Sequence, residues 1–183
     1  ATTTPPGYTF KKLKASGMLL FPVEAKIVDD EGNEMPPEHI GELLLRGPKT
    51  FKGYWKKPEE TKAAITPDGW LHTGDICKID DDGFLYILDR KKDMINRGGE
   101  KIYSLEVENV INTYPKVLEV AVVGVPDKIF GEAVKAVITL KESMECAEEE
   151  IKQFCAQHLA DYKVPKYVEF VGSIPRNPAG KVM

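Results

Sequence analysis

Four short stretches of this sequence carry side chains able to handle an anion. The densest is DRKKDMINRGGEKIYSLEVENVI, residues 89–111, where Arg90, Lys91, Lys92, Arg97 and Lys101 face Asp89, Asp93 and Glu100. The small local excess of positive charge fits a localised anion site better than a nucleic-acid track. Arg90 offers a rigid planar fork of donors, suited to hydroxyls or phosphate. Gly98-Gly99 lets backbone approach a ligand and supplies free N–H groups, with Lys101 adding charge beyond them. The second stretch is GWLHTGDI, residues 69–76. Here Thr73-Gly74-Asp75 is expected to place one carboxylate at a turn before a strand. An ionised Asp accepts two hydrogen bonds and suits a vicinal diol such as a ribose. The third, PRNPAGKVM, is a Pro- and Gly-bounded loop with Lys181 expected at its tip, where an ammonium would reach a phosphate or carboxylate as a point charge. The fourth, GELLLRGPKTFKGYWKKPEET, reads alone as a strand and a glycine-punctuated loop. Each of the others also has a plain structural reading in isolation: a capping Asp, a solvated linker, an exposed turn.

The elements that must position these groups divide the chain. Residues 18 to 88 read as strands and turns. FPVEAKIVD sets Val23, Ala25 and Ile27 on one face with period 2, and ELLLR resumes extended structure after a turn-rich stretch. DICKIDDDGFLYILD is a hairpin, with Ile76 and Ile79 before an Asp-Gly turn and Leu85 and Ile87 after it. A short helix is expected around residues 58 to 65. After residue 103 the pattern becomes mixed. Ser104 is a candidate N-cap, and Val107, Val110, Ile111 and Tyr114 fall on one face of a helix. VLEVAVVGV and EAVKAVITL are β-branched strands, AEEEIKQFCAQHLADY is a helix turning Ile151, Phe154, Cys155 and Leu159 inward, and KYVEFV is a last strand.

Composition bounds the function. The chain has 183 residues, 42% hydrophobic and 30% charged, with a formal charge of −4, which argues against general polyanion binding. Cys77, Cys146 and Cys155 have no CxxC spacing and read as reduced, buried thiols. His39, His72 and His158 lack metal-ligand spacing, so no metal site is expected. The N-terminal stretch has no signal-peptide core and no apolar run reaches membrane-span length, making the cytoplasm the expected compartment.

Together, in this order and spacing, GEL…G…GYW…PEET, GWLHTGDI, DRKKDMINRGGEKIYSLEVE and PRNPAGK resemble the adenylate-forming (AMP-binding) superfamily: acyl-CoA synthetases, peptide-synthetase adenylation domains and luciferases. The resemblance runs from about residue 18 to the end. It implies an α+β chain, with residues 1–90 as the β-rich, barrel-like C-terminal part of a large domain. Residues 91–183 would be a small lid, a three-stranded sheet with helices, hinged at about Lys92. It further implies that Asp75 and Arg90 bind the nucleotide of ATP and AMP. Gly98, Gly99 and Lys101 would form a loop facing coenzyme A in the thioester state. Lys181 would be the catalytic lysine, bridging carboxylate and α-phosphate during adenylation. Mg2+ would accompany ATP, its ligands lying outside this chain.

The family's phosphate-cradling loop and its upstream aromatic-rich motif are absent from the sequence. The chain therefore reads as the C-terminal fragment of a longer carboxylic acid–CoA ligase, fatty acid metabolism among its implied roles, and inactive alone. Its partners would be a small carboxylic acid, ATP, CoA and the missing N-terminal part of the same enzyme. Other readings are an aryl- or amino-acid adenylating enzyme loading a carrier protein, a non-catalytic lid-like binding module, and a nucleic-acid binder. The acidic net charge and the lack of interleaved aromatics in residues 90 to 101 disfavour the last.

Overall fold

The structure, a computed structural model, describes residues 2–5, 7 and 12–183. Part of the N-terminal stretch read as lacking signal-peptide character, residues 1, 6 and 8–11, lies outside the described residues. The chain forms two compact units, Ala1–Lys92 and Asp93–Met183.

The first unit is built from β1 (Thr2–Thr3), β2 (Gly17–Leu19), β3 (Glu24–Val28), β4 (Gly41–Arg46), the short helix α1 (Pro58–Ala64), β5 (Leu71–Ile79) and β6 (Phe84–Arg90). The six strands make one antiparallel half-barrel sheet in the order β1-β2-β6-β5-β4-β3. Alternation along β3 and β4 supplies both faces. Ile27 and Leu43 join Cys77 and Leu85 in one buried cluster, while Val28 and Leu44 pack with Trp70 in another. Lys26 and Arg46 cover the Trp70 ring at 4.6 and 4.5 Å, so the apolar ring is roofed by cation–π contacts. Helix α1 starts with Pro58 in its first turn, where a missing N–H costs nothing, and carries Glu59 and Glu60 at its positive end.

The β5–β6 hairpin closes through Asp80–Gly83. Gly83 takes φ +81°, the left-handed position this loop length requires. The side chain of Asp80 organises the turn. It accepts hydrogen bonds from the N–H groups of Asp82 and Phe84, from the Tyr86 hydroxyl, and from Lys12 Nζ at 2.6 Å.

The second unit contains β7 (Ile95–Arg97), β8 (Glu100–Ile102), α2 (Ser104–Asn112), β9 (Val117–Asp127), β10 (Gly131–Leu140), α3 (Glu148–Ala156), a 3-10 turn (Asp161–Lys163) and β11 (Tyr167–Phe170). β9 and β10 form a long antiparallel hairpin. β11 runs parallel to β10, so the chain must cross over between them, and α3 makes that crossing. The core joins Val107 and Ile111 of α2 and Ile151 and Cys155 of α3 to Val120, Val134, Ala136, Ile138 and Val168 of the sheet.

Three expectations need correction. The sheet has five strands rather than three, because β7 and β8 form a further hairpin paired to β10 at Gly131↔Arg97. Ser104 is the first helical residue, with Tyr103 in the extended capping position before it. Cys77 and Cys155 are buried free thiols, but Cys146 is only half-buried. Burial pushes the Cys77 thiol up to about 12 and the Cys155 thiol to about 11, which makes both chemically inert.

Candidate functional site

In the first unit the geometry begins with a defect in strand pairing. Gly41 and Glu42 pair with Cys77 and Ile76, yet Leu44 already pairs with His72. β5 therefore carries extra residues, Thr73-Gly74-Asp75, bulged opposite Leu43. The bulge is closed internally: Thr73 Oγ1 donates to the Leu43 carbonyl at 2.8 Å and accepts the Asp75 N–H at 3.1 Å. Gly74 takes φ +72°, a conformation that favours glycine, and its carbonyl accepts the Lys91 N–H at 2.8 Å. Asp75 thus lies within a strand, not at a turn before one.

That register sets Asp75 directly across from Arg90. Arg90 Nε stands 3.8 Å from Asp75 Oδ1, too long for a hydrogen bond, with 58% and 30% of the two side chains exposed. Such a loose, wet pair contributes little to stability and leaves both groups able to turn to a ligand. An open pocket of about 380 Å3 is lined by Thr73, Gly74, Arg90, Lys91 and Lys92. Two of its cations, Arg90 and Lys92, are not committed to the Glu42 carboxylate that holds the Lys91 ammonium, so the lining suits a polar anion.

Glu42, in the stretch read from sequence as structural, holds the surroundings of the bulge in place. Its side chain is 8% exposed and accepts from Lys91 Nζ at 2.9 Å, with His72 Nδ1 at 3.3 Å. Burial works to raise its carboxyl, but the Lys91 and His72 contacts outweigh burial and hold it below the usual range. Glu42 thereby pins the residue next to Arg90 and the residue next to the bulge. The GEL motif marked the position; only the strand register reveals its partners.

In the second unit Gly98 and Gly99 form the two-residue turn of the β7–β8 hairpin, with Arg97 paired to Glu100 and φ values of +63° and +99°. Positive φ at both positions is what such a tight turn demands. The expectation of free N–H groups is not met. Gly98 donates to the Phe130 carbonyl at 2.8 Å and Gly99 to Asn96 Oδ1 at 2.9 Å. Arg97 also turns inward, bonding the Tyr162 carbonyl and covering the Phe130 ring at 4.8 Å. Lys101 follows on β8 as an exposed residue.

Lys181 lies on the return limb of a terminal loop rather than at its tip. Asn177 Oδ1 accepts the N–H groups of Ala179 and Lys181 at 3.0 and 2.9 Å, and Arg176 pairs with Val182 across the loop. Asp75, Arg90 and Lys92 are thus gathered in the first unit, Gly98, Gly99 and Lys101 on one hairpin of the second, and Lys181 on a separate loop. No described helix is long and apolar enough to cross a membrane.

Comparison with known proteins agrees along the chain. The family model for the AMP-binding enzyme matches residues 1–55, and that for the AMP-binding enzyme C-terminal domain matches residues 106–181. A long-chain-fatty-acid–CoA ligase of Escherichia coli O6:H1 is 47% identical over 171 residues, covering 92% of this chain and 30% of the relative. A 2-succinylbenzoate–CoA ligase of Geobacillus kaustophilus is 43% identical, covering 99% of this chain and 36% of the relative. Among solved structures, o-succinylbenzoate CoA synthetase from Bacillus subtilis in complex with the acyl-adenylate intermediate OSB-AMP superposes with a TM-score of 0.91. It is 36% identical and covers 99% of this chain and 37% of its own. ATP-bound MatB from Rhodopseudomonas palustris gives 0.88 at 41% identity, covering 92% and 34%. The chain therefore spans about a third of the length of the relatives it matches. On these matches, this chain belongs to the AMP-binding enzyme family and carries that family's C-terminal domain.

Proposed function

We propose that this chain is the C-terminal part of an ATP-dependent carboxylic acid–CoA ligase of the cytoplasm. Such an enzyme first forms an acyl-adenylate and pyrophosphate, then transfers the acyl group to the thiol of coenzyme A. The observation that carries the reading is the bulge that sets Asp75 against Arg90, a residue that also lines the open pocket beside it. Asp75 accepts the two ribose hydroxyls of the nucleotide, and Arg90 donates to it from the opposite strand. Their loose 3.8 Å pairing leaves little to break when the ligand enters. CoA ligases at 43–47% identity support the thiol acceptor, and the ATP- and acyl-adenylate-bound structures support the nucleotide. Those ligases take chemically different acids, so this stretch carries the shared chemistry and the acid is chosen elsewhere. Among the described residues no cluster of three or more His, Cys, Asp and Glu converges, and Mg2+ enters only as the companion of ATP.

Lys181 supplies a cation between the acid carboxylate and the α-phosphate. Two anions must meet in that step, and a fixed positive charge between them lowers their repulsion most in the transition state. Lys92 is the hinge, a role supported by the boundary between the compact units falling after it. Gly98, Gly99 and Lys101 face the CoA arm in the second step. Here the hairpin works through its shape and the Lys101 charge, since both glycine N–H groups are bonded within the unit. In the full-length protein Lys181→Ala lowers acyl-adenylate formation about a hundredfold or more and leaves thioester formation from supplied acyl-adenylate intact. Rapid-quench assay of the two half-reactions reads both. Equal loss in the two would remove the role given to Lys181.

A further inference from the structure

We infer that Arg176 is the positioning residue that holds the Lys181 loop in place for acyl-adenylate formation, using Glu119 of β9 as its anchor; the inference rests on the role proposed for Lys181. The loop has an internal frame and an external tether. The frame is Asn177. Its side chain accepts the Ala179 and Lys181 N–H groups, its own N–H donates to the Lys181 carbonyl at 2.8 Å, and its carbonyl accepts the Gly180 N–H at 2.8 Å. That frame fixes the shape of the turn but not where the turn sits on the unit. Arg176 supplies the second part. One guanidinium nitrogen donates to the Gly180 carbonyl at 2.7 Å, beside Lys181, while the other pairs with Glu119 Oε1.

Glu119 is tied to the sheet by its register with Thr139 of β10, the last pair before the ladder shifts register at Leu140. The fork of Arg176 therefore links the backbone next to Lys181 to the sheet in one span. A planar guanidinium makes two such bonds at fixed angles; an ammonium cannot serve both partners with the same geometry. The pair is 44% and 34% exposed, so its contribution to folding is small and its loss leaves the fold standing. What it sets is the place of a charge, and a displacement near 1 Å at a reacting centre costs up to about a hundredfold in rate.

The test uses the full-length protein, with single-turnover acyl-adenylate formation and CoA-dependent thioester formation from supplied acyl-adenylate measured separately. Arg176→Ala and Glu119→Ala are each expected to slow adenylate formation about tenfold. The double variant should be no slower than Arg176→Ala, because both changes cut one tether. Arg176→Lys should recover part of the loss, and thioester formation and melting temperature should stay at wild-type values in all four. Equal slowing of both half-reactions, or additive losses in the double variant, would overturn the inference. So would wild-type adenylate formation in Arg176→Ala alongside its loss in Lys181→Ala, which leaves the role of Lys181 standing. Wild-type adenylate formation in Lys181→Ala would remove that role and the inference with it.

Discussion

At the scale of single residues, the nucleotide reading rests on groups that the fold leaves under-used. Asp75 and Arg90 face each other at 3.8 Å and are partly exposed, whereas Glu42, close by in the same sheet, is buried and committed to Lys91 and His72. The contrast leaves Asp75 available to a ligand and commits Glu42 to the fold. If Asp75 accepts the ribose hydroxyls, Asp75→Ala in the full-length protein should weaken AMP binding by roughly tenfold to a hundredfold, the range for a hydrogen bond to a charged group. It should also abolish the preference for AMP over 2′-deoxy-AMP, which titration calorimetry with both nucleotides would read. A retained preference would place the ribose elsewhere. Asp75, Arg90 and Lys181 were legible as candidates only through the order and spacing of their stretches, since each alone has a plain structural reading. The Glu42 pairing was not, because it joins residues 49 positions apart through strand register.

At the scale of elements, periodicity found both helices of the second unit and the β9–β10 and β5–β6 hairpins, since an apolar face repeats within each segment. What it missed was pairing that depends on neighbours. The stretch Ile95–Ile102 looked like a charged ligand loop because its side chains are mostly polar; its backbone nevertheless completes the edge of a sheet, and Ile95 and Ile102 reach the core at 1% and 0% exposure. The glycine N–H groups that the sequence suggested were free are taken by the Phe130 carbonyl and the Asn96 side chain. The Thr73–Asp75 bulge was hidden for a related reason: a pairing defect has no signature in one strand alone. Burial tends to raise the Asp80 carboxyl, but Lys12, the Phe84 N–H and the Tyr86 hydroxyl outweigh it and bring the carboxyl to about 2. A carboxyl depressed in the folded state stabilises above its ordinary pKa of 3.8 and loses that contribution as the pH falls towards about 2. Asp80→Asn should therefore destabilise the first unit at neutral pH by roughly 1–3 kcal/mol, with the gap to wild type closing across that acid window in urea titrations. A gap constant with pH would show that the ionised form contributes nothing.

At the scale of the whole molecule, two compact units meet in sequence between Lys92 and Asp93, and the groups given to adenylation and to thioester formation are divided between them. The chain covers about a third of its relatives' length and holds Asp75, Arg90 and Lys181; in the proposed function the acid is chosen by the rest of the enzyme. Activity in this account therefore belongs to the longer protein. The most direct measurement is acid-dependent ATP–pyrophosphate exchange, run on the full-length protein and on this 183-residue chain with a panel of aliphatic and aromatic acids. Exchange by the full-length protein with at least one acid, and none by the 183-residue chain, is the predicted result. Exchange by the 183-residue chain alone, or by neither protein across the panel, would contradict the account.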